Sequence, residues 1–147
     1  MTKTLETITL EKSLRIATNK KGLFGCPEVT IGWYGKERVD YITFDTKGTW
    51  RCYEIKVSVP DFHSKAHNTF CGHFNYYVMP KLIYEKVKLE IPSHVGVYVD
   101  YKYHPFIISV KNAKRQKLTV DEDVLKNSMI RSLSRDTKKY YLKGDKL

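Results

Sequence analysis

Long apolar runs are missing from this 147-residue chain, and so is a cysteine framework. No stretch approaches the roughly 20 apolar residues of a membrane-spanning helix, and the N-terminus lacks the apolar segment of a signal peptide. The three cysteines, Cys26, Cys52 and Cys71, are odd in number and show no C-x-x-C spacing. These absences predict a chain without membrane contact or structural disulfides, in a reducing compartment such as the cytoplasm.

Acidic residues are also scarce, 16 against 26 lysines and arginines, which gives a formal charge of +10. Such a surplus in a small chain suits a polyanionic partner, and nucleic acid is the default, although the same charge also keeps an ordinary surface solvated. No repeat or low-complexity segment is present. We expect a single domain over residues 1–147, with a core at about 9–110 and a basic helical extension at about 111–147.

Two strand-like segments, residues 38–45 and 50–58, are separated by a short turn at 46–48 that ends in glycine. Both segments are rich in aromatic and β-branched residues, and a glycine at the end of a three-residue turn is typical of a β-hairpin. If the residues on either side of the turn pair with each other, Asp40 lies opposite Glu54 on the same face of the hairpin.

Two carboxylates placed opposite each other repel, unless one stays protonated or a cation lies between them. A divalent ion resolves the conflict, because Mg²⁺ binds one or two carboxylates and keeps open positions for water and phosphate. Lys56, one step further along the same face as Glu54, is placed to orient or deprotonate a metal-bound water. The alternative is a solvated Glu54–Lys56 pair on a half-exposed strand, with Asp40 unrelated to it.

The periodicity of apolar and polar residues predicts helices and strands along the rest of the chain. Predicted helices cover residues 9–21, 60–69, 80–89 and 121–141, and predicted strands cover 27–36, 74–79, 95–101 and 106–110. Because a strand that follows a helix usually crosses over in parallel, we expect segment 74–79 to run parallel to the strand that carries Glu54.

Asp40 followed by Glu54-Ile55-Lys56 resembles the D…E-x-K signature of the restriction-endonuclease-like, or PD-(D/E)XK, nuclease superfamily. Two departures accompany the match. Val39 stands where the motif has its proline, and Val57-Ser58 stands where a serine-rich tail is usual. The first departure is common in that superfamily.

The similarity extends over roughly residues 26–101 and is greatest to small MmcB-type proteins associated with DNA repair, including short phage proteins. It rests on the runs at 38–40, 53–62 and 74–80. The resemblance implies a mixed α/β (α+β) fold with an αβββαβ core, here with extra C-terminal strands and a basic C-terminal helix. It also implies a bacterial or phage-encoded protein that acts on DNA in the cytoplasm.

The function implied by the resemblance is hydrolysis of DNA by a metal-dependent nuclease. Asp40, Glu54 and the backbone carbonyl of Ile55 would bind Mg²⁺ or Mn²⁺, and Lys56 would activate or position the attacking water. The alternative is a non-catalytic DNA-binding module on the same fold, in which the three charged side chains form a structural ion-pair network.

Members of the superfamily often carry an extra acidic residue near the site, and two candidates stand out. Glu11 would lie in the first turn of the helix predicted at 9–21, where it would also complement the helix dipole. Glu28 belongs to the next predicted strand. A three-residue turn would pair Asp40 with Gly32, which leaves Glu28 about 13 Å away along the strand and too far to share a metal.

A second metal site is suggested by His63, His67, Cys71 and His73. Histidines four residues apart on a helix face the same way, so this group is a candidate zinc site. Its spacing matches no common zinc finger, and a solvated histidine pair or a phosphate contact is the alternative.

The C-terminal part is strongly basic, with eleven lysines and arginines against five acidic residues between positions 111 and 147. Its predicted helix carries an apolar stripe, Leu125, Met129 and Leu133, that would pack either on the domain or on a second copy of the chain. The second alternative leaves a homodimer open. Candidate contacts to nucleic acid, weighed against an ordinary solvated surface, are Ser58, Lys65, Arg131, Arg135, Lys138 and Lys139.

Overall fold

The computed structural model describes residues 3–35, 37–64, 68–101 and 106–144. Within those ranges the helices are α1 (Leu5–Ala17), α2 (Val59–Phe62), α3 (Lys81–Val87) and α4 (Glu122–Gly144), with a 3₁₀ turn at Lys88–Glu90. The strands are β1 (Leu23–Thr30), β2 (Arg38–Asp45), β3 (Trp50–Ile55), β4 (Phe74–Met79), β5 (Gly96–Asp100) and β6 (Ile107–Lys111). The order from α1 to β4 is αβββαβ, so the predicted mixed fold is confirmed.

The six strands form one mixed sheet in which their spatial order follows the chain. β1, β2 and β3 make an antiparallel meander. β4 runs parallel to β3, β5 runs parallel to β4, and β6 returns antiparallel to β5. The predicted parallel pairing of the 74–79 segment with the Glu54 strand is therefore confirmed.

Helices cover both faces of the sheet. On one face, α1 packs Leu10 and Leu14 against Tyr41 and Tyr53. On the other face, α4 packs Leu125 and Met129 against a cluster that includes Ile42 and Cys52. α3 covers the β4–β5 part of the sheet. Because side chains alternate along each strand, Asp40, Glu54 and Lys56 lie on the same sheet face as Ile42 and Cys52. This is the face that α4 covers.

α1 begins earlier than the predicted residue 9. Thr4 has extended backbone angles and is the N-cap, and its hydroxyl oxygen accepts a hydrogen bond from the Thr7 N–H at 3.2 Å. Thr9 lies inside the helix, where its hydroxyl donates to the Leu5 carbonyl at 2.8 Å. The expected place of Glu11 in the first turn is therefore wrong, because it lies in the middle of α1.

The helix predicted at 60–69 is reduced to the single turn α2. Ser58 is its N-cap, and the Ser58 hydroxyl accepts from the Asp61 N–H at 3.1 Å. The described residues between α2 and β4, such as Thr69, are not helical. The Thr69 N–H bonds to a carboxylate oxygen of Glu54 instead of to a helical carbonyl, which explains why the helix prediction fails there.

The apolar stripe of α4 packs mainly on the chain's own sheet. Leu125 and Met129 are buried in the core, whereas Leu133 is 40% exposed. The first of the two alternatives for this stripe is therefore correct for its first two residues. None of the helices in the described ranges is long and apolar enough to cross a membrane.

Gly25 in β1 provides a test of the packing between β1 and β2. A Cβ at this position would lie 1.9 Å from the Tyr41 hydroxyl oxygen, which itself hydrogen-bonds Thr18 at 2.9 Å. Because Tyr41 is buried, Gly25→Ala must displace it, and we expect the free energy of unfolding to fall by about 1–3 kcal/mol. Denaturant unfolding of both proteins measures the difference; equal midpoints would show that Tyr41 moves freely.

Candidate functional site

The β2–β3 hairpin places the predicted residues together. Its register is the predicted one, with Tyr41 opposite Tyr53, Ile42 opposite Cys52 and Phe44 opposite Trp50. Gly48 has φ +85°, the positive value that the turn requires. Continuing this register by one residue beyond the Tyr41–Tyr53 pair sets Asp40 opposite Glu54.

Asp40, Glu54 and Lys56 form a compact polar group at the end of β3. Oδ2 of Asp40 accepts the backbone N–H of Ile55 at 2.9 Å. The carboxyl groups of Asp40 and Glu54 lie within hydrogen-bonding reach of each other, and Lys56 is close enough to act on Glu54 through its charge. Glu54 is 5% exposed and Lys56 is 6% exposed, while Asp40 is half-buried, so Asp40 forms the solvent side of the group.

This environment raises the pKa of Glu54 from 4.5 to about 9. Burial is the main cause, followed by the charge of Asp40 and the hydrogen bond to it. The Thr69 N–H and the Lys56 ammonium act in the opposite direction. Without a cation at the site, Glu54 therefore keeps its proton at neutral pH, and a divalent ion between the two carboxyl groups would allow Glu54 to ionise.

Two residues that the sequence analysis did not select, Thr69 and Tyr77, lie next to Glu54, and Asn68 contacts the second of them. Thr69 donates its N–H to Oε1 of Glu54 at 3.2 Å, and its hydroxyl is buried without a hydrogen-bond partner in the described part of the chain. Tyr77 of β4 lies beside Glu54 in the sheet, and the Asn68 side chain donates to its hydroxyl at 2.8 Å. The parallel pairing of β3 with β4 was the available signal for Tyr77; nothing in the sequence pointed to Thr69.

The predicted register between β1 and β2 is wrong by four residues. Val29 pairs with Val39 and Thr30 with Arg38, so the position opposite Asp40 is Glu28 and not Gly32. The strand predicted at 27–36 ends at Thr30, and a loop over 31–37 replaces the three-residue turn. Glu28 is thus a neighbour of Asp40, although the sequence analysis placed it about 13 Å away.

Glu11 and Glu28, the two candidates for an extra carboxylate, both bind Lys3. The Lys3 ammonium lies 2.5 Å from Oε1 of Glu11 and 2.6 Å from Oε1 of Glu28. The hydrogen bond from Lys3 is the main reason why the pKa of Glu28 is lowered, and Arg38 adds to the effect. In this arrangement both carboxylates form ion pairs with Lys3.

The Asp40–Glu54 pair fits a hard divalent cation that retains several waters. Carboxylate oxygens are the ligands that Mg²⁺ prefers. The buried Thr69 hydroxyl has no hydrogen-bond partner in the described ranges. No group of three or more His, Cys, Asp or Glu side chains in the described ranges is arranged to hold a metal. The candidate ligands therefore stay Asp40 and Glu54, and the Ile55 carbonyl remains the predicted third oxygen.

The candidate zinc residues are separated from one another. His63 contacts Glu90 at 2.7 Å, while Nδ1 of His73 accepts the Trp50 N–H at 3.0 Å. Sγ of Cys71 lies 3.6 Å from Sγ of Cys52, and both thiols are buried and free. His67 lies outside the described residues. The other three candidates are each engaged elsewhere, so the described arrangement contains no zinc site.

One arginine of α4, Arg135, lies next to β1. Arg135 donates to the backbone carbonyl of Glu28 at 3.3 Å, which brings the basic helix beside the strand position opposite Asp40. Lys138 and Lys139 follow on the exposed part of α4. Arg135 therefore lies beside β1, and contact of these basic residues with phosphate stays a prediction.

Ser58 and Lys65 complete the candidate contacts to nucleic acid. The Ser58 hydroxyl is occupied as the N-cap of α2. The N-cap role explains why a serine stands at this position without any contact to nucleic acid. Lys65 lies outside the described residues.

The chain matches no protein-family model and no curated protein. Among solved structures it is similar to a protein of unknown function from Silicibacter pomeroyi, with a TM-score of 0.71 and 16% sequence identity. The similarity covers 95% of this chain and 91% of the other chain. At this identity the comparison shows a shared mixed α/β fold over nearly the whole length.

Proposed function

We propose that this protein is a Mg²⁺- or Mn²⁺-dependent deoxyribonuclease of the PD-(D/E)XK type. The observation that carries the proposal is the Asp40–Glu54 carboxyl pair with Lys56 at the end of β3. A paired carboxyl group with a strongly raised pKa beside a buried lysine is costly for stability and is typical of functional sites. The proposal places the protein in DNA repair, recombination or phage DNA processing, in the bacterial cytoplasm.

Each residue has a distinct part in the proposed reaction. Asp40 and Glu54 would hold the ion, together with the Ile55 carbonyl. When bound, the ion supplies positive charge that stabilises the phosphoryl oxygens and lowers the pKa of water. The Lys56 ammonium would hold and orient the attacking water, and the Thr69 N–H holds Glu54 in place through a hydrogen bond to Oε1.

The positive surface beside the pair is suited to a DNA backbone. Arg135 contacts the Glu28 carbonyl, and Lys138 and Lys139 continue along the exposed part of α4. A protein that neutralises several phosphates releases their counterions, so DNA binding should weaken steeply with salt. The +10 formal charge of the chain has the sign that this requires.

A cleavage assay with Asp40→Asn tests the catalytic proposal. The wild type is expected to cut at least one of linear duplex, circular single-stranded or branched DNA with Mg²⁺ or Mn²⁺, and to be inactive in EDTA. Asp40→Asn should lose at least about 100-fold in rate, since a metal-bound charge is removed while an oxygen remains for the Ile55 N–H. Asp123→Asn, an exposed change of equal charge in α4, should cut normally; equal rates for both variants would contradict the assignment.

The second candidate is a non-catalytic DNA-binding module on the same fold. It is favoured by the finding that no group of three or more His, Cys, Asp or Glu in the described residues is arranged to hold a metal ion. In this alternative Asp40, Glu54 and Lys56 form a structural network of polar side chains. Binding of DNA by the basic surface of α4 would then be the whole function of the protein.

Thermal unfolding in Mn²⁺ separates the two candidates. At a Mn²⁺ concentration about 100 times the dissociation constant, binding stabilises the fold by about 2.7 kcal/mol, or roughly 5–10 °C. The nuclease should show this shift and Asp40→Asn should not. DNA binding without any Mn²⁺ shift in the wild type would support the non-catalytic module.

A further inference from the structure

The loop between β1 and β2 exposes two adjacent aromatic side chains. Trp33 is 75% exposed and Tyr34 is 99% exposed, whereas Trp50, the other tryptophan of the chain, is fully buried. Single exposed aromatic residues are common, but an adjacent Trp–Tyr pair at a loop tip presents an apolar surface that favours contact with a partner. We call these two residues the aromatic tip.

The backbone beneath the aromatic tip is held in place. The Gly32 N–H donates to Oγ of Ser128 in α4 at 2.9 Å, and Ser128 is itself buried and bonded to the Val124 carbonyl at 2.6 Å. The Ile31 N–H bonds to the Glu37 carbonyl at 3.0 Å and closes the base of the loop. The side chains therefore project from an anchored loop, which lowers the entropy lost when they bind.

The positively charged side chain of Arg131 lies against the aromatic tip. The guanidinium carbon of Arg131 lies 4.2 Å from the Trp33 ring centroid, in a cation–π contact. The same guanidinium donates to Oγ of Ser128 at 3.2 Å, and its Nε is buried without a partner in the described ranges. Arg38 begins β2 just after the loop and is exposed. Planar rings and guanidinium groups side by side are the combination that binds bases and phosphates of single strands.

We propose that Trp33 and Tyr34 stack on unpaired nucleobases, so that the DNA bound by this protein is single-stranded or locally unpaired. The inference rests on the proposed DNA partner and adds the form of the DNA. Bases in a duplex are already stacked on both faces, whereas an unpaired base gains a partner by lying on an exposed ring. Tyr34 is six residues before Asp40, at most about 20 Å of extended chain, so one strand can contact both.

Tryptophan fluorescence reports on the tip directly, because only one of the two tryptophans is exposed. In EDTA, which prevents cutting, a thymidine oligonucleotide should quench the Trp33 emission and saturate. An abasic oligonucleotide of equal length carries the same phosphates without bases, and it should leave the emission nearly unchanged. Trp33→Phe should remove the response, since the Trp50 ring is out of reach.

Affinities measured by anisotropy of labelled oligonucleotides give the second readout. Tyr34→Ala should weaken binding of the thymidine oligonucleotide at least about fivefold, with little effect on duplex or abasic DNA. Tyr34→Phe should restore wild-type affinity because it keeps the ring. Tyr140→Ala removes an exposed tyrosine of α4 and serves as the control.

Two results would overturn the inference in different ways. If the wild type binds thymidine and abasic oligonucleotides equally and Tyr34→Ala changes neither affinity, the aromatic tip does not contact bases, while the nuclease proposal stands. If the wild type binds no DNA at low salt, the DNA partner is wrong and both proposals fail.

Discussion

Replacing Lys56 by alanine is expected to slow DNA cleavage by about 10²–10⁴-fold and to leave DNA affinity nearly unchanged. Lys56 is 6% exposed and acts on Glu54 through its charge, so it is placed to serve the reacting water and not the DNA backbone. The basic residues of α4, which are proposed to hold the phosphates, remain in the variant. A loss confined to the chemical step is therefore the expected signature.

The measurement compares single-turnover cleavage rates with dissociation constants obtained in Ca²⁺ or EDTA. Lys47→Ala, an exposed change in the β2–β3 turn, removes the same charge from the same hairpin and should cut at the wild-type rate. Thermal unfolding of each variant checks that the fold persists. If Lys56→Ala cuts as fast as Lys47→Ala, Lys56 has no catalytic part, whatever the outcome for Asp40.

Divalent-ion binding is expected to strengthen about tenfold per pH unit between pH 6 and 8. The pKa of Glu54 is raised to about 9 without a cation, so its carboxyl must release a proton when the ion binds. The same shift predicts how stability varies without metal. Because the folded-state pKa is higher than the value of 4.5 in the unfolded chain, the folded state holds more protons between these values. Its stability then falls by up to about 1.4 kcal/mol per pH unit as pH rises.

Calorimetric Mn²⁺ titrations at pH 6, 7 and 8 test the first statement, and denaturant unfolding in EDTA at the same pH values tests the second. Glu54→Gln should abolish Mn²⁺ binding and flatten the pH dependence of stability, because the amide mimics the neutral carboxyl. Glu85→Gln, an exposed change on α3, should alter neither. A Mn²⁺ affinity that is constant from pH 6 to 8 would show that Glu54 is already ionised.

The hairpin that carries Asp40 and Glu54 could be predicted because everything that determines it is local. A glycine at the turn and two strand segments rich in aromatic and β-branched residues establish the register, and the structure shows the same pairing. The parallel strand β4 was also predictable, since its connection through α2 leaves few topologies.

The register of β1 could not be predicted in the same way. Glu28 has φ +52°, an uncommon value for a residue with a side chain, and the loop at 31–37 is longer than a hairpin turn. Contacts distant in sequence hold this conformation, including the bond of the Gly32 N–H to Ser128. No local pattern near Glu28 encodes a hydroxyl on a helix about a hundred residues later.

The residues next to Glu54 were not predicted from the sequence for a related reason. Thr69 lies in a segment whose local pattern favours a helix, and its N–H instead satisfies a buried carboxyl group. A buried glutamate with a raised pKa needs at least one hydrogen-bond donor, but the identity of that donor depends on how the chain returns from α2 to β4. The tertiary structure decides which hydrogen-bond donor in a distant segment pairs with a buried polar group.

The spatial order of the six strands, which follows the chain, has a consequence for how the protein folds. Every strand pairs with its neighbour in sequence, so the sheet forms through short loop closures that cost little chain entropy. α4, by contrast, returns to β1 from the other end of the chain. The hairpin bearing the carboxyl pair can thus form early, whereas the loop under the aromatic tip becomes ordered only when α4 docks. In a chain that is still being synthesised, the carboxyl pair therefore precedes the surface proposed to bind DNA.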